Sequence, residues 1–402
     1  MKQSVLSAVI DEQALERPQR LGMERDLLTE IPVVDGFATI VTGVRRAGKS
    51  TALNQWIERS HEKTLAVHFD DLKLTSFAAD DFQHLFDIAQ TRGLRTLVLD
   101  EVQDIQGWER FVTGCLDRQL KVLVTGSNAK LLSREFGTKL TGRHLNVEMF
   151  PFSFSEYLRY TGQEGSGDAI DDYLRVGGFP AYVASRERRI LSELFNDILY
   201  RDIVVRYALR DATPIRSLAT FLLGHVGSRI SPSRLKDAIH VASSATVLEY
   251  FNYLEETYLI QRVSLFASSP KASLSAPKKV YACDTGLVSA IETSDSSNAG
   301  HKLENLVYLK LRDPEVQINY FLNEADDTEC DFVVSQRDGG HSAVQVTLEL
   351  TPDNEAREVD GLKHAMDRFG LKEAVIVTRD QEDLLREDGK VIRIQPAWKF
   401  LV

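Results

Sequence analysis

Fifteen residues, FATIVTGVRRAGKST from Phe37 to Thr51, place a lysine and two hydroxyls directly after a loop framed by Gly43 and Gly48. The spacing GxxxxGK[ST] is met in full. Such a loop turns successive backbone N–H groups inward around phosphate oxygens, while Lys49 reaches the β- and γ-phosphates and the Ser50 hydroxyl ligates Mg2+. The expected nucleotide-binding set is therefore Gly43, Val44, Arg45, Arg46, Ala47, Gly48, Lys49, Ser50 and Thr51, with ATP and Mg2+ as ligands.

A second chemical pair, Asp100 and Glu101, ends the apolar run in TLVLDEVQDI. Carboxylates are costly to bury unless paired or bound to a cation. Two of them at the carboxyl end of a buried strand, where α/β sheets bind ligands, point to a metal and a water. Asp100 is expected to hold Mg2+ together with Ser50, and Glu101 to polarise the attacking water. The stretch KVLVTGSNAKLL offers Ser127 and Asn128 at a further strand end, placed to bond the γ-phosphate or that water. Arg143, in LTGR, can bring positive charge to the transferring phosphate of its own or a neighbouring subunit. Arg17, Arg20 and Arg25, ahead of the loop, read as a solvated face.

These groups need elements to position them. Phe37 to Thr42 is apolar and β-branched, as in a central parallel strand. The helix from Lys49 to about Arg59 aims its positive end at the same anion. A strand over Leu65–Asp70, a helix over Asp81–Arg92 and a helix over about Gly107–Arg118 complete an α/β core spanning 1–152. From Ser153 to about Arg210 the pattern is helical, broken by GGFP, which suggests a helical lid over 153–212.

Residues 213–299 read as three helices and a short β-wing, a winged helix-turn-helix pattern. The would-be recognition helix, Thr246–Tyr258, carries Glu249, Glu255 and Glu256 and no Lys or Arg. Phosphate would repel it, so it reads as a packing module.

Residues 300–402 read as a separate unit. A helix bearing Glu304 precedes the strands QINYFLN, CDFVVS and AVQVTLEL, a helix over about Glu355–Phe369 and the strand AVIVTR. This is the order of a restriction-endonuclease-like core, in which an Asp opens the second strand and an ExK follows on the third to hold Mg2+ and water. Asp331 fills the acidic position, but Gln345 and Thr347 stand where the ExK would be. Glu304, Asp331, Gln345 and Thr347 thus form a degenerate nuclease site, from which no cleavage is expected. Glu349 shares the strand face of Gln345 by alternation, yet four residues further along. Acidic residues outnumber basic ones 21 to 13 from Gly300 onward, against a broad nucleic-acid surface.

Composition sets the outer bounds. A chain of 402 residues divides into several domains, and 43% apolar with 27% charged residues is globular usage. No apolar run reaches the ~18 residues of a membrane span, and the N-terminus lacks a secretory pattern. Cys115, Cys283 and Cys330 are odd in number and widely spaced, which indicates neither a disulfide framework nor a zinc site and fits the cytoplasm. A net charge of -11 gives no general attraction to nucleic acid or anionic membrane.

Taken together, GVRRAGKST, LVLDE, VTGSN, LTGR, MFPFSFSEYL, VGGFP, ACDTGL and ECDFVV make the chain resemble bacterial and archaeal ATPases of the AAA+ superfamily. Those proteins carry a C-terminal domain of unknown function built on a nuclease-like core. The resemblance implies an α/β AAA+ P-loop ATPase with a helical lid, a winged-helix segment and a degenerate C-terminal α/β nuclease-like domain. It also implies Walker roles for Lys49, Ser50, Asp100 and Glu101, a sensor at Ser127 or Asn128, and the matching arginine at Arg143. The expected activity is ATP hydrolysis that couples nucleotide state to the C-terminal modules, in a homo-oligomer or with an unknown protein partner. The alternatives are an ATP-regulated DNA-binding or DNA-processing protein and a slow nucleotide-gated switch. Neither an NKxD base-reading motif nor an LSGGQ-like signature occurs.

Overall fold

A computed structural model describes residues 1–60, 62–126, 142–267, 269–291 and 298–402. The chain divides into two compact units: Met1–Pro151 with Glu256–Tyr258, and Phe152–Glu255 with Leu259–Val402. No helix among the described residues is long and apolar enough to cross a membrane.

The first unit is built on five parallel strands: β1 (Ala38–Gly43), β2 (Thr64–His68), β3 (Thr96–Asp100), β4 (Lys121–Thr125) and β5 (His144–Met149), in the order β2-β3-β4-β1-β5. Every residue of β1 and of β3 is buried, because helices cover both faces of the sheet. Alternation divides the side chains. Ile40, Leu97, Leu99, Val122 and Val124 point to helices α1 (Gln3–Glu16), α3 (Phe82–Thr91) and α4 (Trp108–Asp117). Val41, Val98 and Leu123 point to Ala52, Leu53, Trp56 and Ile57 of helix α2 (Lys49–Ser60). Burial at about 25 cal/mol per Å2 of apolar surface makes these two layers the main stabilisation of the unit. The parallel order brings the ends of β1, β3 and β4 to one edge, where the chemistry-bearing residues follow.

The second unit opens with helices Phe154–Thr161, Gly167–Val176, Pro180–Ser185 and Arg189–Asp197, the last running on into a π-helical turn at Ile198–Val205. Helix Thr213–Leu223, strand β6 (Arg229–Ile230), helices Pro232–Leu235 and Ser244–Glu256, and strands β7 (Ile260–Leu265) and β8 (Lys278–Ala282) come next. After helix Ala299–Leu311 come β9 (Val316–Asn323), β10 (Thr328–Gln336), β11 (His341–Val346), helix Glu355–Phe369, β12 (Glu373–Thr378), β13 (Asp383–Glu387) and β14 (Lys390–Pro396).

These strands form one nine-stranded sheet, β13-β14-β12-β11-β10-β9-β7-β8-β6. The expected boundary at 299/300 is therefore crossed by hydrogen bonding: β9 pairs in parallel with β7, Ser264 opposite Asn319. An open edge on β9 would leave backbone groups unpaired, and β7 satisfies them. The third strand of the C-terminal part is shorter than expected. It ends at Val346, so Glu349 does not continue its face and the alternation argument for that residue fails.

Two of the motif stretches meet in this unit. Asp284 of ACDTGL, buried, accepts from the Gly178 amide of VGGFP at 2.6 Å and from the Leu287 amide at 2.8 Å.

Candidate functional site

The glycine-framed loop leaves β1 with Gly43 at φ 142° and enters α2 through Gly48 at φ 100°, backbone conformations that side chains rarely adopt. A Cβ on Gly43 would lie 1.9 Å from the Met149 carbonyl oxygen, so the turn closes only without one. Arg46 adopts the left-handed region at φ 62°. Lys49 is buried, and its Nζ donates to the carbonyls of Gly43 and Val44, both at 3.0 Å, across the mouth of its own loop.

Arg25 departs from the expected solvated face. It is 5% exposed; its guanidinium donates to the Ala47 carbonyl inside the loop at 2.7 Å and to the Phe150 carbonyl after β5 at 2.8 Å. A planar guanidinium can bridge carbonyls from separate segments, so Arg25 braces the loop from behind.

At the neighbouring strand ends, Asp100 is tied on both sides. Its Oδ2 accepts from His68 Nδ1 at 2.7 Å, and its Oδ1 accepts from the Thr125 hydroxyl. Thr125 also accepts from the Glu101 amide at 2.9 Å. The hydrogen bond to Asp100 raises the His68 pKa against the lowering effect of burial. Glu101 stands in the left-handed region at φ 55°, and its carboxylate accepts from Gln103 Nε2 at 2.7 Å. Burial raises its pKa, opposed by the Lys49 charge and reinforced by Asp100. A backbone strain at this position, held by the surrounding bonds, is a mark of functional sites.

Ser50, Asp100 and His68 line one cavity of about 390 Å3, with Arg17, Arg20, Asn54 and Gln13 on its other walls. The residues fit a nucleotide with a divalent cation. A hydroxyl and a carboxylate, Ser50 and Asp100, face the same space, next to a loop whose mouth holds the Lys49 ammonium.

Sequence reasoning gives no role to His68, Thr125 or Gln103, and takes Arg25 for a solvated residue. Only Thr125 carried a signal, as a polar residue ending a buried strand. Ser127 and Asn128 lie outside the described residues. Arg143 lies at the opposite end of β1 from the loop: its carbonyl accepts from the Ala38 amide at 3.0 Å, while Gly43 is opposite Met149 at the far end. Five strand residues separate the two ends, about 17 Å, and Arg143 pairs with Asp117 at 2.9 Å. In this structure Arg143 therefore does not reach its own subunit's loop.

In the second unit, three of the four expected nuclease-site residues come together. Glu304 and Asp331 converge on the ammonium of Lys279, and Gln345 accepts from the Asp331 amide at 3.0 Å. Thr347 turns away, its hydroxyl donating to the Glu349 carbonyl at 3.2 Å, because the strand has ended.

Residues 35–158 match the family described as AAA domain, and residues 167–298 match a domain of unknown function (DUF8612). An uncharacterized protein of Haemophilus influenzae is 28% identical over 374 residues, covering 88% of this chain and 92% of its own. The structure of C. elegans PCH-2 overlaps 63% of this chain and 66% of its own at 16% identity, with a TM-score of 0.23. The uncharacterized protein MJ1544 of Methanocaldococcus jannaschii is 30% identical over 410 residues, covering 94% of this chain and 90% of its own. An N-terminal AAA domain with an intact glycine-framed loop and a relationship spanning nearly the whole length place the chain in the family of that M. jannaschii protein.

Proposed function

We propose that the protein is an ATPase: it binds ATP with Mg2+ at the loop 43–51 and hydrolyses it, coupling nucleotide state to its C-terminal modules in an oligomer or with a protein partner. The observation that carries this reading is the convergence of buried Lys49 and the His68–Asp100–Thr125–Glu101 chain at one edge of the parallel sheet.

Ser50 and Asp100 would hold the cation, which when bound supplies charge neutralisation at the phosphates. Glu101 serves as general base: water oxygen attacks the γ-phosphorus, the bond to the β–γ bridging oxygen breaks, and the water proton passes to the carboxylate. Its raised pKa moves it toward neutrality, where a general base works best. Gln103 and the Thr125-anchored backbone orient that carboxylate.

Two variants test the assignment. Lys49→Ala is expected to abolish tight ATP binding. Glu101→Gln is expected to retain bound ATP while slowing turnover ~100-fold or more. Equal loss of binding in both would remove Glu101 from the base role.

A DNA-binding reading draws support from the helix–strand–helix–helix–strand–helix–strand order of residues 213–282, with β6 and β7 flanking β8. The acidic Ser244–Glu256 helix opposes it. Salt-dependent retention of a duplex by the purified chain would favour this second reading.

A further inference from the structure

Lys279 sits in β8, between Val263 of β7 and Arg229 of β6, and is 2% exposed. Three carboxylate oxygens surround its ammonium: Glu304 Oε1 at 2.8 Å, Asp331 Oδ1 at 2.7 Å and Glu329 Oε1 at 2.6 Å. An ammonium has three donors and no acceptor; this one donates to Glu304 and Asp331, and Glu329 stands at ion-pair distance beside them. The acids are completed from the other side. Tyr281 donates its hydroxyl to Glu304 at 2.6 Å, the Val346 amide donates to Asp331 Oδ2 at 3.0 Å, and Arg229 lies 3.4 Å from Glu329.

Converging buried carboxylates repel one another and require a cation. Two kinds could serve here, a divalent metal or an ammonium. Magnesium demands oxygens at about 2.0–2.1 Å and calcium at about 2.3–2.6 Å around an open centre. Here the centre is filled by Nζ, and among the described residues no group of three or more His, Cys, Asp or Glu is arranged to hold a metal. Burial pulls the lysine toward neutrality, but Asp331 and Glu304 hold its pKa well above the ordinary value, so the cation persists.

We propose that Lys279 is the resident cation of this carboxylate site, a side-chain ammonium standing where a nuclease-type centre takes a divalent ion. The site is thereby closed to metal-dependent phosphodiester chemistry, and β8, helix Ala299–Leu311 and β10 are clamped together by charge. The cluster lies within the second unit, and the inference does not depend on the ATPase reading.

The test uses the full chain without nucleotide, comparing wild type, Lys279→Met and Lys279→Met with Asp331→Asn by thermal unfolding in EDTA or Mn2+. Wild type is expected to melt at the same temperature in both. Lys279→Met is expected to melt several degrees lower in EDTA and to be raised by Mn2+, a response the added Asp331→Asn removes. Tb3+ emission excited through tyrosine should appear in Lys279→Met and not in wild type, since Tyr281 contacts Glu304. Three results would overturn the proposal: an Asp331-dependent Mn2+ shift in wild type, a Lys279→Met chain as stable as wild type and blind to metal, or Mn2+-dependent DNA cleavage by wild type that Lys279→Met lacks. Should Lys279→Met fail to fold in either buffer, adding Glu304→Gln and Asp331→Asn decides. Recovered folding supports the counter-charge role, and continued failure refutes it.

Discussion

His68 Nδ1 stands 2.7 Å from Asp100 Oδ2, so the last residue of β2 orients the last residue of β3 across two hydrogen-bonded strands. A hydrogen bond of this kind leaves Asp100 one preferred direction for its carboxylate, with the Thr125 hydroxyl closing the other side. On the proposed assignment, His68→Ala should raise the Mg2+ concentration that the ATPase needs by roughly 10–100-fold, the usual loss of metal affinity when a partner of a metal ligand is removed. Titrating Mg2+ at saturating ATP measures it. Nucleotide binding in EDTA should hardly change, and an unaltered Mg2+ titration would remove His68 from the site.

Arg25→Ala should impair the loop without touching the nucleotide. Its loss strands the Ala47 and Phe150 carbonyls, which accept charge-assisted hydrogen bonds worth about 1.5–3 kcal/mol each. Weaker ATP binding and a lower unfolding midpoint are both expected. Arg25→Lys should rescue only in part, since one ammonium cannot reproduce the planar fork. Full rescue by lysine would show that charge alone matters.

Arg143 lies about 17 Å from its own loop along β1, so its proposed role as an arginine finger is tested across a subunit boundary. Chains carrying Arg143→Ala mixed with chains carrying Glu101→Gln should regain activity, because one kind of interface then has both groups intact. An arginine of this type is worth about 10³ or more in rate. A mixture that stays inactive, with a specific rate independent of protein concentration, would end the assignment.

Asp284 should make the second unit less stable toward neutral pH. Burial pushes its pKa up to about 6 despite the amides of Gly178, Leu287 and Gly286. The folded state thus favours the protonated acid. Its contribution is fully present below the unfolded value of about 3.9 and is lost as pH rises through 6, about 3 kcal/mol over that window. Denaturant unfolding of wild type between pH 4.5 and 7.5 should show this loss, and Asp284→Asn should flatten it. Parallel profiles would contradict the buried-acid account.

What the sequence determined by itself is what is local along the chain. The loop 43–51 was legible because phosphate binding needs glycines, a lysine and a hydroxyl at fixed spacing on one strand-turn-helix. Asp100 and Glu101 were legible for a similar reason, since a buried strand ending in two acids is costly without a function. Most strands and helices followed from apolar period, although β5, β13 and β14 were missed; β5 and β13 are edge strands carrying exposed polar residues and so lack a clean pattern.

Tertiary structure alone decided the partnerships. His68 meets Asp100 across 32 residues of chain, Lys279 meets Asp331 across 52, and Arg25 reaches Phe150 across 125. A lone arginine, histidine or lysine in sequence has no spacing to betray it, and its default reading is a solvated surface. Burial against named acceptors is a property of sheet order and register. Parallel pairing of β2 with β3 sets His68 beside Asp100, and the continuation of the sheet from β8 through β7 and β9 to β10 brings a lysine from one segment to the carboxylates of another.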